Sequence, residues 1–200
     1  MSDLFQRARS FRHRIEPNGE LFQRFAAGQS PTTLFISCSD SRVVPTLITR
    51  AAPGELFELR NAGNIIPPYR PSRRSGEAAT IEYAVQVLEV SDIIVCGHSH
   101  CGAVGALARG EDLTTLPSVA SWVAFARPSL ASLLGTPPED AAMSKIVQRH
   151  VTAQLETLRG YPQVERRRAE GLLNLHGWFY RVDTGEVCEC DDIEGTFGRH

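Results

Sequence analysis

The chain has 200 residues, 42% of them hydrophobic, enough apolar material to fill the core of one compact domain. Its 21 basic and 23 acidic residues give a formal net charge of -2, so it carries no electrostatic footprint for nucleic acid or for an anionic membrane surface. No apolar run approaches the roughly 20 residues that a helix needs to cross a bilayer.

The opening stretch MSDLFQRARS lacks the continuous apolar segment of a secretory signal. Five cysteines, at 38, 96, 101, 188 and 190, form an odd and irregularly spaced set that suits reduced thiols or metal ligands better than a disulfide framework. Both features point to the cytoplasm. Leu4, Ala8, Phe11 and Ile15 share one face of a helix, which predicts a single amphipathic helix at the N-terminus. A second short helix over Glu20–Ala27 can end at Gly28, and Ser30-Pro31 then breaks the chain. The expected organisation is one domain over residues 1–200, with residues 1–28 as a helical arm.

Leu34-Phe35-Ile36 reads as a buried strand whose end delivers the polar loop Cys38-Ser39-Asp40-Ser41-Arg42. After Pro53-Gly54 comes a second strand, Leu56–Arg60. A segment rich in Pro, Arg, Asn and Ser then leads to a helix, capped by Ser75 or Gly76, on which Ile81, Ala84, Val85 and Leu88 share a face. Asp92–Cys96 is a third strand that runs into Gly97-His98-Ser99-His100-Cys101-Gly102 and a helix of small residues. Helices dominate from about Ser118 to Glu170. Leu172–Val182, a turn at Asp183-Thr184-Gly185 and Glu186–Cys190 then predict a terminal strand or hairpin. The βαβ rhythm implies an α/β fold with a mainly parallel central sheet flanked by helices.

In such sheets, sites gather beyond the C-terminal ends of the strands, and the loops after the first and third strands carry Cys38 and the pair His98 and Cys101. Alone, Cys38 reads equally well as a small buried hydrophobe, and His98 with Cys101 as an incidental pair in a Gly-rich turn. Together they supply three soft ligands and leave one coordination position for water, the pattern of catalytic zinc. Zinc there would lower the pKa of bound water to about 7 and so make hydroxide available near neutral pH. Cys96, inside a strand, is expected in the core, and Cys188 and Cys190 are expected to be structural thiols. His176, within HGW, reads as a hydrogen-bonded structural histidine.

The runs CSDSRVVP at 38–45, PGELFELRNAGN at 53–64, EYAV at 82–85 and CGHSHCGA at 96–103 strongly resemble the plant and bacterial branch of the β-class carbonic anhydrases. The likeness extends from FAAGQSP at 25–31 to HGW at 176–178. It implies reversible hydration of carbon dioxide to bicarbonate and a proton by a zinc-bound hydroxide. It also implies a homodimer embraced by its N-terminal helices, which can pair into a tetramer or larger assembly. Asp40 and Arg42 match the family's carboxylate and guanidinium pair, with Asp40 able to become a fourth zinc ligand in a closed state. Gln29, Phe57, Tyr83 and Gly102 fall where similar enzymes contact substrate, part of that lining crossing the dimer interface. His100 is expected to accept protons without binding the metal.

Two other functions share these residues: hydrolysis of carbon disulfide or carbonyl sulfide on the same fold, and a non-catalytic zinc-bearing interaction module. Some members of the family bind bicarbonate at a remote site made by an arginine, a tyrosine and a tryptophan. Arg60 and Tyr180 match the first two, but Phe35 stands at the tryptophan position and has no indole N–H. The resulting expectation is an open zinc with weak bicarbonate inhibition.

Overall fold

The computed structural model of the chain describes residues 2–15, 19–72, 74–131, 140–190 and 196–198. It divides into two compact units, residues 1–30 and 31–200.

The first unit holds α1 (Ser2–Arg9), α2 (Phe11–Ile15) and α3 (Gly19–Phe25). The single helix expected over Leu4–Ile15 is thus divided at Ser10. The Ser10 hydroxyl donates to the Arg7 carbonyl at 3.1 Å, a local side-chain bond that competes with the helical ladder. Phe11 meets Phe22 edge-on, with centroids 5.9 Å apart, while Leu4 and Phe5 are exposed.

The second unit is built on a six-stranded sheet: β1 (Thr33–Cys38), β2 (Leu56–Asn61), β3 (Asp92–His98), β4 (Asn174–Tyr180), β5 (Val187–Cys190) and β6 (Phe197–Gly198), in the order β2-β1-β3-β4-β5-β6. The first four strands in that order are parallel and the last two pairings are antiparallel. The expected C-terminal hairpin is therefore β4–β5. The helices are α4 (Pro45–Thr49), α5 (Gly76–Gln86), α6 (Gly102–Arg109), α7 (Pro117–Val123), α8 (Arg127–Leu130), α9 (Asp140–Arg159) and α10 (Pro162–Ala169). The helical stretch expected from Ser118 to Glu170 falls in part on residues 132–139, which lie outside the described residues. Ser75 caps α5, its hydroxyl accepting from the Ala78 amide at 3.2 Å.

Alternation along the strands sends Leu34, Ile36, Ile93, Val95 and Leu175 to one face, where they pack with Ile81 and Val85 of α5 and Val151, Leu155 and Leu158 of α9. Helix α9 lies directly on the sheet. A Cβ at Gly97 would come within 2.6 Å of Val151 and 2.9 Å of Val147, and one at Gly177 within 3.0 Å of Leu155. Only glycine permits that approach. The other face holds a smaller cluster of Phe35, Ile94 and Cys96 with Leu56, Trp178 and Tyr180. Cys96 is in the core as expected, and burial pushes its thiol up to about 12.

Candidate metal centre

Strands β1 and β3 lie side by side and parallel, with Ser37 opposite Cys96, so they end at the same edge of the sheet. Cys38 is the last residue of β1 and His98 the last of β3. Cys101 follows one turn later as the residue that caps α6. Their ligand atoms all lie within 4.8 Å of one another and all three side chains are buried, the only such cluster among the described residues.

The His98 ring is already oriented. Its Nδ1 lies 2.9 Å from the Ser99 carbonyl, which can only accept, so Nδ1 carries the proton and Nε2 presents a lone pair. That Nε2 is buried with no hydrogen-bond partner among the described residues. A bound cation would satisfy it. The sulfur of Cys38 accepts from the Gly63 amide at 3.3 Å. The Cys38 thiol is pulled far below its usual range, chiefly by the Cys101 thiol donating to it and against the opposing effect of burial. Cys101 is correspondingly pushed up, first by the hydrogen bond it donates to Cys38, then by burial and by the negative charge beside it. Two thiolates and one imidazole, with one position left for water, are a donor set that could hold zinc.

Beside the ligands stands the expected Asp40–Arg42 pair. Arg42 donates from Nε to Oδ1 at 2.9 Å, from Nη2 to Oδ2 at 2.7 Å and from its own amide to Oδ1 at 3.0 Å. Led by these side-chain hydrogen bonds, the Asp40 carboxyl is held well below the usual carboxylate range. Its Oδ2 lies 4.0 Å from Nε2 of His98, on the ligand side of the loop. Arg42 also donates to the His100 carbonyl at 3.2 Å, tying the first ligand loop to the second. His100 itself is exposed and adopts a left-handed backbone at φ 57°. Gly102 opens α6 with open space where a Cβ would stand.

The expected substrate residues are not all gathered here. Phe57 pairs with Leu34, four residues before Cys38 and its partner Asn61, which puts it about 13 Å down the strand from the ligand edge. Its ring centroid lies 5.8 Å from that of Tyr83, which is 44% exposed. Neither can line the metal site of its own chain. Gln29 belongs to the N-terminal unit.

Arg60, which the resemblance matches to a remote anion site, is also tied to the metal centre. Its guanidinium donates to the carbonyls of Cys38 at 2.9 and 3.2 Å, Asp40 at 3.0 Å and Val43 at 2.6 Å, and so holds the ligand loop itself. Phe35 packs edge-on against Trp178 with centroids 5.8 Å apart, and the Trp178 Nε1 is buried without a partner among the described residues. An indole N–H is therefore present on this face, delivered by β4, and weak bicarbonate inhibition no longer follows from Phe35. His176 meets the structural role expected of it: Nε2 is 2.9 Å from Asp92 and Nδ1 3.2 Å from Glu189.

The loop at residues 61–66 is fixed by contacts that are remote in sequence. Asn61 brackets the Ile65 backbone, Trp122 Nε1 donates to the Ala62 carbonyl at 2.8 Å, and His150 and Gln154 of α9 reach the Gly63 carbonyl and the Ile66 amide. No local spacing signals those contacts.

Residues 33–187 match the model of the carbonic anhydrase family. A carbonic anhydrase of Pseudomonas aeruginosa is 48% identical over 180 residues, which cover 89% of this chain and 81% of the relative. The solved β-carbonic anhydrase CcaA superposes with a TM-score of 0.89 at 39% identity, covering 100% of this chain and 99% of its own. One of two tetrameric β-carbonic anhydrases of Sordaria macrospora superposes with a TM-score of 0.81 at 30% identity, covering 98% and 97%.

Proposed function

Because the chain belongs to the β-class carbonic anhydrase family, we propose that it interconverts carbon dioxide and bicarbonate at a zinc held by Cys38, His98 and Cys101. The observation that carries this reading is the convergence of three buried ligand atoms with the unpartnered Nε2 of His98. Zinc, when bound, makes a water acidic enough to supply the nucleophile near neutral pH. Two thiolates neutralise the charge of a divalent cation, which leaves a centre suited to an uncharged substrate.

Asp40, kept ionised and aimed by Arg42, accepts the hydrogen bond of the attacking water and so orients it. The same carboxylate can act as a fourth metal ligand when it leaves Arg42, which closes the site. The Gly102 amide, at the start of α6, is suited to orient a bicarbonate oxygen. His100, exposed beside the ligand turn, passes the released proton to buffer.

Phe57 and Tyr83 serve as apolar lining for the site of a second copy, where Gln29 helps to orient a bicarbonate oxygen, which makes a homodimer the working unit. The apolar side chains exposed on the N-terminal unit, Leu4 and Phe5, support such an association. Pairing of dimers into a tetramer accords with the tetrameric Sordaria relative. The odd, irregularly spaced set of five cysteines suits a reducing compartment, and we place the enzyme in the cytoplasm. Among the described residues no helix is long and apolar enough to cross a membrane.

Metal analysis of purified variants tests the ligand set. Cys38→Ser, His98→Ala and Cys101→Ser should each lose zinc and carbon dioxide hydration together, because three ligands leave no redundancy. Full zinc retention in any one of them would contradict the assignment.

A further inference from the structure

Helix α9 buries two polar side chains, His150 at 0% and Gln154 at 2% exposure, among Val147, Val151 and Leu155. Four residues apart, they lie on one face of the helix. Such groups are costly in an apolar core unless every polar atom is used. Here one arrangement of protons uses them all. Nε2 of His150 lies 2.8 Å from the Gly63 carbonyl and must donate to it. Burial pushes the ring down to about 4, so it is neutral and Nδ1 keeps a lone pair. The Gln154 amide nitrogen faces that lone pair at 3.5 Å, and the Gln154 oxygen accepts from the Ile66 amide at 2.7 Å.

The residue gripped by His150 is the one whose amide donates to the Cys38 sulfur. Gly63 sits at φ +83°, and a Cβ there would come within 3.1 Å of Ala103, so the turn admits only glycine. Its carbonyl is held by α9 and its N–H points at the thiolate. The distance of α9 from the sheet is in turn set by contact at Gly97, the residue before His98.

We propose that His150, oriented by Gln154, is a positioning residue of the metal centre: through Gly63 it sets the N–H···S hydrogen bond to Cys38 and thereby how strongly that thiolate donates to the metal. This rests on the reading of Cys38 as a metal ligand. A hydrogen bond to a ligating sulfur draws charge from it, and such outer contacts tune the metal.

The test uses the full-length chain loaded with cobalt(II), reading the thiolate-to-cobalt charge-transfer band in wild type, His150→Leu and His150→Gln. In His150→Leu, of similar volume but without a donor, the band should move to lower energy while the bound metal per chain stays the same. His150→Gln, whose amide can donate to the Gly63 carbonyl, should return the band toward its wild-type position. A folded His150→Leu with an unmoved band overturns the proposal. Should that variant fail to fold, Gln154→Met decides: a smaller shift in the same direction supports the proposal, and an unmoved band overturns it. Absence of any charge-transfer band in wild type would instead sink the metal reading itself, so the two failures are distinguishable.

Discussion

Replacing Arg60 by methionine keeps the apolar stem of the side chain and removes the guanidinium that bridges the Cys38, Asp40 and Val43 carbonyls. Hydrogen bonds from charged donors are worth about 1.5–3 kcal/mol each, and neutral ones about 0.5–1.5 kcal/mol. Arg60 is exposed, so water can reach the abandoned carbonyls and the lower range applies. Loss of contact to three carbonyls then costs roughly 1.5–4.5 kcal/mol. For a chain of this size that is a fall in Tm of roughly 3–18 °C. The loop that loosens carries Cys38 and Asp40, so carbon dioxide hydration should fall with it. Arg60→Lys should recover only part of both, because a single ammonium cannot match the planar fork that spans several acceptors. Thermal unfolding and initial hydration rates on the same preparations read both effects. A folded Arg60→Met with wild-type Tm and wild-type rate would refute the idea that this side chain holds the loop.

Arg42→Leu should leave metal content intact and depress turnover. Because Arg42 is the main cause of the lowered Asp40 pKa, the acid-side loss of activity should also move to higher pH, and an unshifted profile would contradict this. His100→Ala should slow turnover in dilute buffer and recover with added imidazole; an equal rate in dilute buffer removes the role. At His176, burial opposes the charge, but hydrogen bonds to Asp92 and Glu189 outweigh it and raise the pKa. Its stabilisation is therefore fully present below the unfolded value of about 6.5 and is lost as pH rises through the folded one. The Tm gap between wild type and His176→Gln should be wider at about pH 6 than at about pH 9, and a constant gap would speak against it. Gly97→Ala should destabilise by about 1–3 kcal/mol through overpacking against Val151 and Val147, which a thermal scan measures.

The candidate metal ligands were legible because their signal is local: a Cys at the end of one apolar run, and a His-x-x-Cys turn at the end of another. Parallel topology then had to bring those ends together. The sheet and its terminal hairpin followed from short apolar runs in a βαβ rhythm and from the turn at Asp183-Thr184-Gly185. What escaped depends on distance in space. His150 and Gln154 look like ordinary polar positions on an amphipathic helix until α9 is laid over Gly97. Arg60 looks like a surface residue on β2 until the Cys38 loop folds back over it. Trp178 reaches Phe35 across β3, a neighbourhood no spacing in the chain reveals. The break at Ser10 turned on one hydroxyl bond, too small a signal to override a regular apolar repeat.

The central claim is most directly tested by removing the metal with a chelator, measuring carbon dioxide hydration by stopped flow, and restoring zinc in measured amounts. The account predicts that activity disappears in the metal-free chain and returns in proportion to zinc, saturating at about one ion per chain. Undiminished hydration by the metal-free chain, or a chain carrying one zinc that does not hydrate carbon dioxide, would contradict it.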